Sequence, residues 1–512
     1  MGRKIVYYLS LTISSVIAFI LSLLAFLSIT TIYYFSNSYL TGGLIIILSV
    51  LSTILFIKGN HLYQKIKLIF FSIEPKKKIL SKVIASFLIL FGVSAVIMLS
   101  VNLFWQIKIN KLKKEMKSLG LKTSISEYQE NYPSSDYLIP DFTEEKKDIF
   151  KKIIGDIDFK FFEKTDKHYL SEIKKWDKDT YQKANKITLF YEPFLTQKIY
   201  PLLSKYKRHS QIDYIECSKN PFSCPTPRYA DWVTIAKIME NIAIDYSYKG
   251  DFSKSFNTIE KMLTLSDLIS TDNFMLSKMV SVIINRFAAE TCLNIMINSP
   301  SVKFPQNIEE RFKTILKKEL IKDGVKVGLT TLFNAYQIYP HSKLFIEDGG
   351  PLLDRILNRF LGIICMVTGS FNASFYEVAN NYFIVIQDKY IGTKNQYLTP
   401  SFPFWPYLFG HVIIPKWNGF FEKEAEMKTK IKMELILSSM AEYYKSNKSY
   451  PQKLDELAPK FIEKNILIDY FSDDFYLYEV NKNKKGFKIC SAGANKDKKT
   501  LEGGEFCINQ KI

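Results

Sequence analysis

YADWVTIAKIMENIAIDYSYKGDFSKSFNTIEKMLTLSDLIS, residues 229–270, decides the fold class. Ile235, Met239, Ile242, Ala243 and Tyr246 recur at helical spacing and make one apolar face. Lys249-Gly250-Asp251 breaks the pattern: glycine supplies the C-terminal turn, and Asp251 is placed to cap the next helix. Phe252, Phe256, Ile259, Leu263 and Leu265 form the next stripe, which Ser270-Thr271-Asp272 ends. Met279, Val280, Ile283, Phe287, Ala288 and Cys292 predict a third helix, stopped by Ser299-Pro300. The same periodicity runs from about residue 148 to 430, so the chain is expected to be mainly α.

Antiparallel helix pairs joined by a Gly-Asp turn resemble tetratricopeptide-type hairpins. No second copy stands at a fixed spacing, so the expectation is an irregular helical stack. Such a stack presents a concave face to a protein partner.

Toward the N-terminus the composition changes. No Asp, Glu, Lys or Arg occurs from residue 5 to 57. An apolar surface that long has to be buried on all sides, and two bilayer crossings of about 20 residues each accommodate it. The spans are expected at 5–35 and 44–57, with Ser36-Asn37-Ser38 and Thr41-Gly42-Gly43 between them, and a third at 83–107, also without charge. The loop between the second and third spans carries Lys58, Lys65, Lys67, Lys76, Lys77, Lys78 and Lys82 against Glu74, and Arg3 and Lys4 precede the first. The positive-inside rule puts both in the cytoplasm and everything after residue 107 outside, although Lys108, Lys111, Lys113, Lys114 and Lys117 pull the other way. Lys76–Lys78 reads as a topology signal or as a contact for anionic lipid head groups. The expected location is the bacterial inner (cytoplasmic) membrane, with the large domain extracytoplasmic.

The formal charge of +18 comes mostly from scattered lysine, and no nucleic-acid-binding motif accompanies it, so solvated surface and the lipid bilayer are the expected partners of that charge, not nucleic acid. The six cysteines include two pairs at spacings a disulfide closes, Cys217 with Cys224 and Cys490 with Cys507. Neither pair is CxxC or has histidine beside it, which argues against zinc. Disulfides agree with an extracytoplasmic domain. Cys292 and Cys365 lie in apolar runs and read as buried thiols.

Two further stretches stand out. Residues 360–376 are uncharged, but their short length and polar content favour a core helix over a fourth span. Residues 401–415, SFPFWPYLFGHVIIP, hold three prolines and are expected to be a loop, packed on the helical domain or resting on the membrane surface.

The C-terminal part reads as a long helix over 420–444, then a short helix at Pro451, Leu454 and Leu457 stopped by Pro459, then strands at 475–480 and 486–490, then a loop through Ser491-Ala492-Gly493 and Gly503-Gly504. Three domains follow: membrane (1–110), helical (111–420) and a small α+β module (421–512). Helix, then YYKSNKSYPQKLDEL, then an aromatic hairpin with KKGFKICSAGANKD and a late GG resembles the globular part of the major pseudopilin of type II secretion systems. The same ending resembles that of a group of bacterial membrane-anchored proteins with long helical midsections. The resemblance covers about the last ninety residues, with Tyr450-Pro451, Leu454, Leu457 and Ser491-Ala492-Gly493 as its specific points, and Asp469-Tyr470 standing where the family has Asp-Pro. It implies the module's fold, a link to secretion or pilus-like assembly, and calcium in the last loop, where Asp497, Glu502 and Glu505 offer oxygen ligands; a solvated acidic loop is the alternative.

Catalytic signatures are missing. No phosphate loop, HExxH site or GxSxG elbow occurs, and His61, His168, His209, His341 and His411 are scattered. The function expected is a membrane-anchored interaction or scaffold protein of the bacterial envelope. The alternative is an envelope enzyme acting on lipid or cell-wall material through the aromatic segment 402–409; a transporter is disfavoured because the expected spans hold no ionisable residue.

Overall fold

The computed structural model describes residues 78–129, 178–209, 212–219, 227, 229–299, 302, 304–338, 370–386, 417–472, 474–481, 486–492 and 506–511. The first two expected spans, the segment 401–415, Cys224, Cys365 and the three carboxylates Asp497, Glu502 and Glu505 lie outside the described residues.

The helices are α1 (Lys78–Ser118), α2 (Lys178–Phe194), α3 (Tyr200–Lys205), α4 (Tyr214–Lys219), α5 (Tyr229–Tyr248), α6 (Phe252–Ser270), α7 (Met275–Asn298), α8 (Gln306–Lys317), α9 (Leu320–Ile338), α10 (Ser370–Ile386) and α11 (Trp417–Asn447). A π-helical turn, Leu195–Ile199, carries α2 into α3. Three strands, β1 (Leu477–Val480), β2 (Gly486–Ser491) and β3 (Phe506–Lys511), form an antiparallel sheet in the order β1-β2-β3. The chain divides into two compact units, one holding α1, the end of α9 and most of α10, the other holding the remaining elements.

In the first unit α1 runs unbroken for 41 residues, about 60 Å at 1.5 Å per residue. It contains the expected third span and continues past it to Ser118. Val101, Trp105, Ile109, Leu112 and Met116 are buried along one face. Asn102 pairs with Asn372 of α10 at 3.1 Å, and Trp105 lies 5.5 Å from the Tyr376 ring. Tyr336, near the end of α9, donates to the Asn372 side-chain oxygen at 2.9 Å and stacks on Phe375 at 4.2 Å. The described part of the stretch 360–376 starts at Ser370, and Phe375, Val378, Ala379, Tyr382 and Phe383 on this helix are buried.

In the second unit the stripes read from sequence become the core. Ile235, Met239, Ile242 and Ala243 are buried, as are Phe256, Ile259, Leu263 and Leu265. Gly250 adopts a left-handed φ of +80°, which glycine reaches without a Cβ clash, and Asp251 accepts from the Lys254 backbone N–H at 3.1 Å. α7 is long and apolar enough to cross a bilayer, yet 83% of its most apolar window is buried, because α5, α6 and α11 pack against it. Small hydroxyls hold the close crossings. Ser255 donates to the Ala243 carbonyl at 2.6 Å, and Ser266 meets Ser281 at 2.7 Å. α8 is latched to α6 from its polar side, where Arg311 and Lys318 share Asp267 at 2.5 and 2.8 Å.

α11 starts at Trp417 and ends at Asn447, wider at both ends than the apolar spacing indicated. It packs on α7 and α8 in the same unit as the bundle. Leu454–Leu457 is a 3-10 turn rather than an α-helix, with Leu454 and Leu457 buried as expected. β3 departs from the expected loop. Its FCINQK sequence is half polar and follows two glycines, and only pairing with β2 makes it a strand. That pairing sets Cys507 opposite Cys490, and the two are disulfide-bonded with Cα atoms 4.1 Å apart, so the bond ties two strands rather than a strand and a loop. Cys217 is also disulfide-bonded, whereas Cys292 is a buried free thiol.

One close approach gives a test. A Cβ added at Gly324 on α9 would stand 3.0 Å from the Met275 Cα at the start of α7. Gly324→Ala is expected to lower stability by about 1–3 kcal/mol despite its better helix propensity. Thermal unfolding of the detergent-solubilised chain measures it, and an unchanged or raised midpoint would refute the close packing.

Candidate functional site

A group of buried ionisable side chains lies where α5, α7 and α11 meet. α11 has the sequence WNGFFEKEAEMKTKIKMELILSSMAEYYKSN, with charges on every side of the helix. Docked in the bundle, it has to bury some of them. Glu424, Glu426, Lys428, Lys430 and Glu434 are all buried, and so is Glu290 on α7.

Geometry answers the desolvation cost through pairing. Lys430 donates to Glu290 Oε1, and Arg286 reaches Glu426 Oε2 at 3.5 Å with side chains 12% and 4% exposed. The offset is 140 residues in both pairs, so α7 and α11 run in parallel register along this seam. Lys423 adds a second contact to Glu426 at 2.9 Å. Glu240 on α5 faces the same cluster. Burial, and after it the charge of Glu290, pushes its carboxyl up to about 8, against the pull of Lys237, Arg286 and Lys430. Further along, burial raises the Glu434 carboxyl well above its ordinary range, with the charge of Glu309 adding to the effect. Neither Glu434 oxygen has a hydrogen-bond partner among the described residues.

Glu424 has a different task. Its two oxygens accept from the backbone N–H groups of Leu320 and Ile321 at 2.9 and 3.2 Å. These are orphan donors of the first turn of α9, so α11 caps a helix over a hundred residues away. Burial raises this carboxyl, opposed first by Lys428 and then by the two N–H groups.

A second buried node holds the chain before α4. His209 is fully buried, and its Nδ1 lies 2.6 Å from Asp272 Oδ2. Tyr229 donates to the same oxygen at 2.8 Å, and the His209 ring lies between Tyr229 and Trp232, 5.5 and 5.6 Å away. The carboxylate fixes the imidazole through Nδ1, as in an acid–base pair, while Nε2 has no hydrogen-bond partner among the described residues. With no exposed surface, the ring is a pin between residues 206–209 and the α6–α7 turn. Burial, then the charge of Asp272, keeps the Tyr229 phenol protonated far above its usual range.

The C-terminal module has its own knot. Asp469 is buried and accepts from the Ser491 hydroxyl at 2.9 Å, the Ala492 N–H at 2.8 Å and the Phe471 N–H at 3.2 Å. Lys432 on α11 donates to the Ile468 carbonyl at 2.7 Å, and Tyr478 donates to the Pro451 carbonyl at 2.8 Å.

Of the residues singled out from sequence, Cys490 and Cys507 come together and Cys217 is bonded, while Asp497, Glu502, Glu505 and Cys224 lie outside the described residues. No group of three or more His, Cys, Asp or Glu placed to hold a metal occurs among the described residues. The seam residues were not anticipated. A signal existed: Glu290 sits inside VSVIINRFAAETCLNIMI, and α11 lacks an uncharged face. Chemically, the ion pairs of the seam fix helix register. No protein-family model, curated protein or solved structure matches the chain.

Two tests follow from the seam. Lys430→Met leaves Glu290 enclosed without its cation and is expected to cost about 3–5 kcal/mol, most of which the double variant Lys430→Met/Glu290→Met restores. Denaturant titration in detergent reads both, and a double variant no better than the single would refute the pairing. For Glu240, the unfolded carboxyl titrates near 4.5 and the folded one near 8. Between those values the folded chain holds a proton that the unfolded chain has released, so this group makes stability fall as pH rises through the window. Glu240→Gln should flatten the fall between pH 5 and 8; an unaltered slope would show that the carboxyl is not enclosed.

Proposed function

We propose that this chain is a membrane-anchored, extracytoplasmic interaction or scaffold protein of the bacterial envelope. The observation that carries the reading is on α1. Val96, Leu99, Leu103 and Ile107 form one face of the helix and are 58–69% exposed. Solvent-exposed apolar side chains in such a row favour a lipid environment. The opposite face is buried in protein, as expected of an anchor helix that also supports its domain.

The bundle supports the scaffold half of the reading. The Lys430–Glu290 and Arg286–Glu426 pairs at the seam are largely enclosed, an arrangement suited to holding a surface in place. The tetratricopeptide-like turn at Gly250-Asp251 and the helix-plus-sheet module add to it, since both resemble parts used in protein–protein assembly. The disulfides at Cys490–Cys507 and at Cys217 agree with an oxidising compartment.

Cysteines at position 67 and at the exposed Ser446 test the orientation with an impermeant maleimide on intact spheroplasts. Ser446→Cys should label directly and Lys67→Cys only after permeabilisation. The opposite pattern would put the helical domain in the cytoplasm and overturn the reading.

A further inference from the structure

The exposed face of α1 does not end at Ile107. At about 100° per residue, Lys114 and Lys117 fall within about 45° of the centre of the face formed by Val96, Leu99, Leu103 and Ile107, and Lys111 lies at its edge, about 75° from that centre. The buried residues Val101, Trp105, Ile109, Leu112 and Met116 lie opposite. One exposed stripe thus changes from apolar to cationic within a turn, on a single unbroken helix.

The lysines are available. Lys111, Lys114 and Lys117 are exposed, and the Lys111 side chain keeps 78% of its surface. Its ion pair with Glu115 is long, at 4.0 Å, and Lys114 and Lys117 have no acidic partner among the described residues. Lys108 behaves differently. Its ammonium is folded over the rings of Phe104, Trp105 and Tyr376 at 5.2, 5.7 and 5.4 Å, which turns it toward the protein side and marks the depth at which charge begins.

The geometry points to an anionic-lipid site on α1, in which Lys111, Lys114 and Lys117 hold the phosphates of acidic phospholipids whose acyl chains lie along Val96, Leu99, Leu103 and Ile107. The inference rests on the membrane-anchor reading and goes beyond it by naming the head-group chemistry. Charge complementarity selects the occupant: an acyl chain alone satisfies the upper stripe and an acidic peptide alone the lower, and an anionic phospholipid satisfies both. A lysine near a membrane surface favours an anionic lipid by about fivefold.

The test uses the full chain in neutral-detergent micelles with photoactivatable phosphatidylglycerol or phosphatidylcholine. Crosslinks to the peptide containing residues 106–118 should favour phosphatidylglycerol by about fivefold or more. Lys111→Gln/Lys114→Gln/Lys117→Gln should bring the two lipids to parity, and the triple arginine variant should keep the preference, which separates lost charge from lost fold. Equal labelling of the wild-type chain by both lipids, or a preference that survives the glutamine variant, overturns the site and leaves the lysines to an acidic protein partner. Alkaline carbonate extraction distinguishes the two levels. Release of the chain from native membranes sinks the anchor reading itself, whereas a retained chain without lipid preference sinks only the head-group site.

Discussion

Glu290 on α7 and Lys430 on α11 meet with side chains only 8% and 5% exposed, and the arrangement of the second unit depends on that meeting. A buried charge without its partner costs several kcal/mol, so α11 has few registers in which it can dock on α7. In the observed one, Arg286 finds Glu426, and Glu424 reaches the first turn of α9. Apolar packing alone would tolerate a shift of one turn. The ion pairs would not, since a shift strands several charges together. The seam thus contributes specificity more than net stability.

The same logic recurs on a smaller scale. Asp469 satisfies three donors from the turn and from the end of β2, and Lys432 on α11 anchors the carbonyl just before it. The disulfide at Cys490–Cys507 then fastens β3 to β2 next to that knot. Three strands of the C-terminal sheet are described, and polar pins of this kind add to its small core. The His209–Asp272–Tyr229 node does the same for the segment entering α4.

α1 couples the physical chemistry of the chain to its proposed setting. One face is buried and carries Trp105; the other presents Val96, Leu99, Leu103 and Ile107 and, beyond them, Lys111, Lys114 and Lys117. A helix with two such faces suits the proposed anchor. Its continuity to Ser118 makes it a rigid strut rather than a tether.

The sequence by itself determined what consecutive residues encode. Helical spacing placed α5, α6 and α7, Gly250 and Asp251 marked the turn between α5 and α6, and alternating aromatic residues placed the strand that ends at Val480, because periodicity, caps and breakers act within a few residues. The cysteine pair at 490 and 507 was legible as a short spacing, though not as a cross-strand pair. Tertiary structure alone decided that α7, apolar enough to span a bilayer, is a core helix; that half-polar FCINQK is a strand; and that α11, with charge on every side, is buried. For α11 the partners lie far along the chain: 140 residues for Lys430 and Glu290, 104 for Glu424 and Leu320. A local pattern says which side chains need a partner. Only the packed chain says which distant residue brings the opposite charge or the open hydrogen bond.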